Sequence, residues 1–430
     1  MLTPISERMK KMAKTIVPYT LDDYFASTPI GSVDRASGNN LFGINHQQTP
    51  GAVPANKDTF GLTFFTRPQL NLQSDNLRNE RRFYSLLTNQ PLSMQRYIRC
   101  MLDPRAQLGH QPKSSNNVEA LYPPIPCPLV DSSQAFIPVL TNNLLTLSGW
   151  PDVVAPVFES ESGMYKESYA QVDGLSRNYE SFDLDASFRN TRGDPILYMF
   201  YIWLQYMSDV FEGKLVPYMD YLVENVIDYN TRIYRLVLDV NKQKVKKIAA
   251  TGASFPVSVP TGSFFDFNSE TPYSDQNKDI TIRFRCMGAD YLDDILIKEF
   301  NDTVKIFNPS MFNRYRDQEM VRVSQKTLPL FNNRGYPRID ETTYDLEWWV
   351  SKDMYASVIT GTHPDLLSFY PSASVSSDTE RNGDIDVPLD TADQSYQDIE
   401  KAAGTDSPAI QAAKDAASQS ARDDYDNTGE

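Results

Sequence analysis

The chain has 430 residues, with 41 Lys and Arg against 56 Asp and Glu, giving a formal net charge of −15. A hydrophobic fraction of 40%, including 24 Tyr and 22 Phe, supplies apolar surface for a globular core, and the length exceeds that of one ordinary domain. No long block of Lys and Arg occurs, which argues against a protein that grips a nucleic-acid backbone, and no apolar run approaches the roughly 20 residues of a membrane-spanning helix.

In chain order, the first twenty residues are charged and lack the continuous apolar stretch of a secretory signal. Residues 1–130 read as an extended N-terminal arm and accessory region, rich in Gly, Asn, Pro and Ser over the first 60 positions. Within it, "TFGLTFFTRPQLNL" alternates partly as a strand until Pro68, and residues 92–102 read as a helix stopped by Asp103 and Pro104. Arms and long loops of this sort lie on a neighbour's surface.

The middle of the chain is more regular. Residues 181–189, "SFDLDASFR", set Phe182, Leu184, Ala186 and Phe188 on one face and Asp183, Asp185, Ser187 and Arg189 on the other, the period of a half-buried strand. Asp194 followed by Pro195 offers an N-cap to a helix over residues 196–211, whose apolar residues cover nearly its whole circumference and so require cover on several sides. "TRIYRLVLD" and "KVKKIAA" read as a hairpin around Val240, Asn241, Lys242 and Gln243. The following stretch, "GASFPVSVPTGSFFDFNSE", reads as a proline-broken aromatic loop. "DITIRFRC" then alternates Ile280, Ile282, Phe284 and Cys286 with Thr281, Arg283 and Arg285, and residues 291–300 read as a short amphipathic helix.

These elements predict an α+β fold, a small antiparallel β-barrel or sandwich with packed helices over residues 131–308, carrying an extended N-terminal arm region and C-terminal additions. Residues 309–371 form an accessory segment. Residues 372–430 hold 14 acidic and 4 basic residues, a net of −10, with two aromatics, and are expected to be a disordered acidic tail.

A search for chemistry yields little. His46, His110 and His363 sit in separate loops, and no HExxH, paired-cysteine, EF-hand, Walker A or GxSxG pattern occurs, so no metal, no cofactor and no enzyme activity are expected. Cys100, Cys127 and Cys286, odd in number and far apart, read as reduced core residues. The acidic pairs Asp183/Asp185 and Asp293/Asp294 read as solvated faces rather than a glycosidase pair. The aromatic stretch is the candidate site: Phe255, Phe264, Phe265 and Phe267 fall within thirteen positions, more than one barrel end can bury. With Pro256 and Val259, and with Arg283 and Arg285 on the adjoining strand, they are the predicted subunit-interface residues, some phenylalanines sealing the core and others meeting a second subunit.

The order "SYAQVDGLSRNYESFDLDASFR…DPILYMFYIWLQYM…IDYNTRIYRLVLD…KVKKIAATGASFPVSVPTGSFFDFNSE…DITIRFRC" resembles the tail-tube protein fold of contractile-tailed bacteriophages. The likeness rests on an alternating strand before an aromatic-bearing helix (Trp203), the run Phe255-Pro256-Val257-Ser258-Val259, the pair Asp266-Phe267 and a last strand ending Phe284-Arg285-Cys286. It covers about residues 130–308. It implies hexameric rings of barrels stacked coaxially around a channel through which DNA passes without specific binding. The implied partners are other copies of the chain and the sheath, baseplate or neck proteins, and the implied location is the virion tail, assembled in the host cytoplasm. Since a plain tube protein consists of little beyond that domain, a baseplate or neck connector present in one or a few rings is the alternative. A third reading, a receptor- or carbohydrate-binding tail protein, rests on Trp348 and Trp349 as a stacking surface.

Overall fold

The computed structural model describes residues 60–108, 125–174, 180–270, 272 and 277–359. The chain divides into two units, Met1–Tyr370 and Pro371–Glu430, and every described residue belongs to the first. The expected arm over the first 59 residues and the expected acidic tail lie outside the described residues.

Six strands build the main sheet: β1 (Phe60–Phe65), β2 (Leu144–Ser148), β5 (Ser181–Arg189), β6 (Ile233–Leu238), β7 (Val245–Ser258) and β8 (Asp279–Tyr291). Between β2 and β5 the chain makes a separate two-stranded hairpin, β3 (Val157–Glu159) and β4 (Ala170–Val172). The spatial order of the large sheet is β1-β6-β7-β8-β5-β2, and every neighbouring pair is antiparallel. Its two outer strands are nearly joined. Ile137 N donates to Phe65 O (2.9 Å) and Arg67 N to Ala135 O (2.9 Å), and the 135–137 segment leads through helix α2 (Pro138–Asn143) directly into β2. The result is a nearly closed antiparallel barrel in a mixed helix and strand fold, which removes most of the unpaired edge an open sheet would present.

Two helices cover it. Helix α3 (Pro195–Phe211) buries Ile196, Met199, Phe200, Trp203 and Tyr206, the three- and four-residue spacing of one helix face, against Leu184, Ala186 and Phe188 of β5 and Ile280, Ile282 and Phe284 of β8. At about 1.5–3 kcal/mol for each fully buried large side chain, this face is a principal source of stability. Helix α4 (Ile295–Phe307) places Leu296, Ile297, Phe300 and Val304 over Tyr234, Leu236, Ile248 and Ala250 on the other face of the sheet. Phe64 and Phe65 of β1 point to opposite faces, one into each cluster, as adjacent strand residues must. A three-stranded sheet of β9 (Met320–Val323), β10 (Tyr336–Ile339) and β11 (Leu346–Ser351), in the order β10-β11-β9, closes the second cluster.

Ahead of the barrel, α1 (Met94–Leu102) is capped at its start by Ser93, whose Oγ accepts from Arg96 N. Its other end is held by a buried arginine. Arg67 donates from Nε to Met101 O (3.0 Å), from Nη2 to Cys100 O (2.6 Å) and from Nη1 to Asp131 O, Ser132 O and Gln134 O. The last carbonyls of a helix have no intrahelical donor, so this cation satisfies them and at the same time ties β1 to the 131–135 segment.

Three expectations are corrected. Residues 252–258 are strand rather than loop: β7 runs unbroken to Ser258 in register with β8. Pro256 is tolerated because the register shifts between Pro256 and Ser258, a bulge where a missing N–H costs no ladder bond. The helix read over residues 291–300 starts later, at Ile295, because β8 extends through Tyr291 and Leu292 then adopts a left-handed φ of 54°. Asp194 does not cap α3 with its side chain. It too is left-handed (φ 50°), and its Oδ1 accepts from Asn190 Nδ2 instead.

Candidate assembly surfaces

The strand register gives β2, β5 and β8 two common ends. Leu144, Arg189 and Asp279 lie together at one, and Ser148, Ser181 and Met287 toward the other. The loop from β7 to β8 therefore sits at the first end, and it sorts its phenylalanines sharply. Phe264, in a single 3-10 turn over Ser263–Phe265, is 4% exposed and joins the α3 cluster, while Phe265 and Phe267 are 87% and 90% exposed. Adjacent residues of the turn point in different directions, which parts Phe264 from Phe265, and Phe267 follows two residues beyond it. Of the remaining expected interface residues, Phe255 stands half-buried within β7, edge-on to Tyr229 at 5.9 Å, Pro256 is buried, and Val259 packs against the α3 cluster.

Arg283 and Arg285 are held within the chain. Directly opposite them on β5 stand Asp185 and Asp183, and the pairs close at 2.9 Å each, with Arg285 also donating to Ser181 Oγ at 2.7 Å. The face of β5 and β8 that points away from α3 is thus a ladder of two acids and two arginines with no net charge. Exposed pairs of this type contribute little to stability, so their effect is to set the charge of a surface.

The other end of the barrel carries a feature that sequence reasoning missed. Residues 150–174 leave β2, form the β3–β4 hairpin and return to β5. Gly149 starts the excursion with φ 106°, and a Cβ there would lie 2.3 Å from Asp183 O, so only glycine fits. Trp150 anchors the base between Phe182 (6.3 Å) and Tyr291 (5.9 Å), and Tyr291 Oη donates to Pro151 O at 2.7 Å. Beyond that anchor the hairpin is ordered by its own hydrogen bonds, among them Ser160 N to Tyr169 O and Gly163 N to Glu167 O, both 2.8 Å. Every residue of β3 and β4 is exposed, Val157, Phe158 and Val172 included, and Met164 and Tyr165 near the tip are 92% and 86% exposed. The signal available in the sequence was the alternating "PVFES" and "YAQVD" around a Gly-containing turn.

The buried polar groups are structural. Asp103, fully buried at the end of α1, accepts from Leu72 N (2.9 Å), Ala106 N (3.0 Å) and Tyr218 Oη (2.8 Å), so one carboxylate ties three segments together. Burial pushes its pKa up to about 6 against the opposing pull of those donors. Tyr206 donates to Asp228 at 2.5 Å in the same manner. Cys100, Cys127 and Cys286 are buried free thiols. Trp349 is buried in the second core cluster and Trp348 packs against it, so neither forms an open stacking platform. Among the described residues no group of three or more His, Cys, Asp and Glu could hold a metal ion, and no helix is long and apolar enough to cross a membrane. His46, His110 and His363 lie outside the described residues.

Residues 24–363 match the model of a family described as "Putative phage tail tube protein". None of the curated proteins matches the chain. Among solved structures the chain is similar to the cap that terminates the tube of the anti-feeding prophage, at 12% identity, over 42% of this chain and 98% of that one, with a TM-score of 0.23. It is also similar to a chain of the sheath-tube complex of an extracellular contractile injection system, PVC, in the extended state, at 12% identity, over 36% and 82% of the two chains, with a TM-score of 0.22.

Proposed function

Because the chain belongs to the phage tail tube family, a structural family and not an enzymatic one, we propose that it is the repeating subunit of a tail tube, forming hexameric rings that stack around a DNA channel. The observation that carries this reading is the family match itself, which runs from residue 24 to residue 363. It takes in the segments on both sides of the barrel, so they belong to the family's own pattern rather than to a special adaptation of this chain. That favours a repeating tube subunit over a baseplate or neck connector.

The structure supports the reading on physical grounds. A nearly closed barrel with exposed apolar elements at its two ends suits heterologous contacts, which generate rings where the rotation closes and stacks where it does not. The neutral ladder of Asp183, Asp185, Arg283 and Arg285 suits a channel wall, since a surface with no net positive charge lets DNA slide without releasing its counterions. The sheath and the baseplate or neck proteins are the further partners of this reading, and the virion tail, after assembly in the host cytoplasm, is its location.

Negative-stain electron microscopy of the purified chain is expected to show rings or tubes with sixfold symmetry. A species that stays monomeric at high concentration would overturn the proposal. Quantitative mass spectrometry of purified virions separates the two structural roles: many copies per particle for a tube, a single ring's worth for a connector.

A further inference from the structure

We propose that Cys100 and Cys127 form a modification site, a dithiol that a small-molecule disulfide of the glutathione class closes into an intrachain disulfide. On the tube reading above, the pair is reduced in the host cytoplasm and closes once the particle enters an oxidising exterior, so this timing rests on that reading. The pairing itself does not.

The fold brings together two cysteines that the sequence separates. Cys100 lies in the last turn of α1, and its Sγ donates to Ile125 O at 3.3 Å. Ile125 N in turn donates to Ala106 O (2.8 Å), and Gln107 Nε2 donates to Cys127 O (3.2 Å) and Val130 O (2.9 Å), so residues 125–130 are laid along the chain that follows α1. The two thiols meet in a side-chain hydrogen bond, and both are fully buried. Sulfurs already in contact need a shift of about 2 Å or less, within reach of side-chain rotation, to close a disulfide bond. Arg96, one turn before Cys100 on α1, is buried beside both sulfurs, and among the described residues its Nε has no hydrogen-bond partner. Two cysteines that only filled a core would leave that guanidinium donor orphaned at a cost, whereas a thiolate beside it gives its charge a counterpart. Cys286 is outside the pair: it sits on β8 with its sulfur directed at Phe284 O (3.9 Å).

The two thiols take different parts. Cys127 is the nucleophile, because the hydrogen bond from Cys100 first, then the amides of Leu129 and Val130 and the Arg96 cation, favour its thiolate against the opposing effect of burial. Cys100 is held protonated by that same hydrogen bond and then by burial. The Cys127 thiolate attacks one sulfur of oxidised glutathione. A bond forms between them, the glutathione disulfide breaks, and the departing glutathione thiolate takes up the proton that Cys127 released. Capping Cys127 removes the negative charge beside Cys100. Cys100 then loses its proton, attacks the Cys127 sulfur and expels the second glutathione, which leaves as a thiol with that proton. Two cysteine thiols are oxidised and one external disulfide is reduced. The thiols are reached by local opening of residues 125–130, which form coil and turn held by scattered hydrogen bonds rather than by a ladder.

Oxidised glutathione, added to the purified and reduced full-length chain, is the probe. Thiols titrated in denaturant are expected to fall from three to one, and non-reducing peptide mapping to join the Cys100 peptide to the Cys127 peptide. C100A is expected to stop at a glutathione adduct on Cys127, C127A to give neither adduct nor link, and C286A to link as the wild type does. Three thiols remaining in the wild type, an adduct without an internal link, or a link that takes in Cys286 would overturn the pairing, and the wild-type map decides this even where an alanine variant fails to fold. Alkylating thiols in intact cells before lysis, and separately in released particles, tests the timing. The link is expected in the particles alone; a link in the cells or free thiols in the particles would overturn it. Absence of the chain from particles would instead overturn the tube reading, with the pairing still decided on the purified chain.

Discussion

Phe264, Phe265 and Phe267 lie within four positions of one another, yet the first is buried and the other two are exposed, and separating the two sets is a sharp test of the interface reading. Replacing Phe265 and Phe267 together by Asp leaves the core untouched, since both rings are already in solvent. A buried Phe ring covers roughly 150 Å² or more, so two rings docked on a neighbour remove about 300 Å² of apolar surface from water, a gross gain of about 7 kcal/mol at about 25 cal/mol per Å². Ordering and desolvation consume part of that, leaving about 2–4 kcal/mol for an interface anchor of this kind, or roughly a 30- to 1000-fold loss in association constant. Phe264→Ala acts on the other quantity: at 4% exposure in the α3 cluster it should cost the folded subunit about 3–5 kcal/mol. Sedimentation velocity against concentration reads the first effect, and thermal unfolding followed by circular dichroism reads the second. The double Asp variant is expected to keep the wild-type unfolding temperature and lose assembly, and Phe264→Ala to lose unfolding temperature. Assembly of the double variant at wild-type concentrations would refute the argument.

Arg67→Met should destabilise the subunit by about 4 kcal/mol, because it strips a charged donor from five carbonyls, two of them at the end of α1; an unfolding temperature within 2 °C or so of wild type would contradict the clamp. Asp103 gives a pH signature. Its folded pKa of about 6 lies above the ordinary carboxylate value of 3.8, so the folded state holds the proton more tightly and stability falls as pH rises between those values, by about 3 kcal/mol at most. Relative to wild type, Asp103→Asn is therefore expected to gain stability between pH 4 and pH 7 in thermal unfolding, and a pH-independent difference would refute the assignment.

How much of this could be read from the sequence depended on how local the determining physics was. The period-2 alternation of residues 181–189 and 280–286 located β5 and β8, because burying one face of a strand leaves that pattern wherever it occurs. The same reasoning stopped at Pro256, where a proline reads as a strand terminator unless the bulge opposite Phe284 is known, and that bulge is a property of the pairing rather than of the chain. It also read Asp194 as a cap, since Asp before Pro is a sound local signal; the competing bond to Asn190 is made by the turn leading out of β5.

The candidate surfaces divide along the same line. An excess of aromatic residues around the loop before β8 was visible, but which ring turns inward was fixed by a three-residue 3-10 turn and by the packing of α3 beneath it. The two arginines of β8 looked available for a partner, and each had a register-matched aspartate on β5 that could be identified only once the strands were aligned. Conversely, the hairpin of β3 and β4 escaped notice because an element with no buried face leaves no hydrophobic asymmetry to detect: Val157, Phe158 and Glu159 are all exposed in the isolated chain. What marks the hairpin locally is its base, the left-handed Gly149 and the Trp150 ring set between Phe182 and Tyr291, and both depend on contacts with β5 and β8 that the sequence alone does not align.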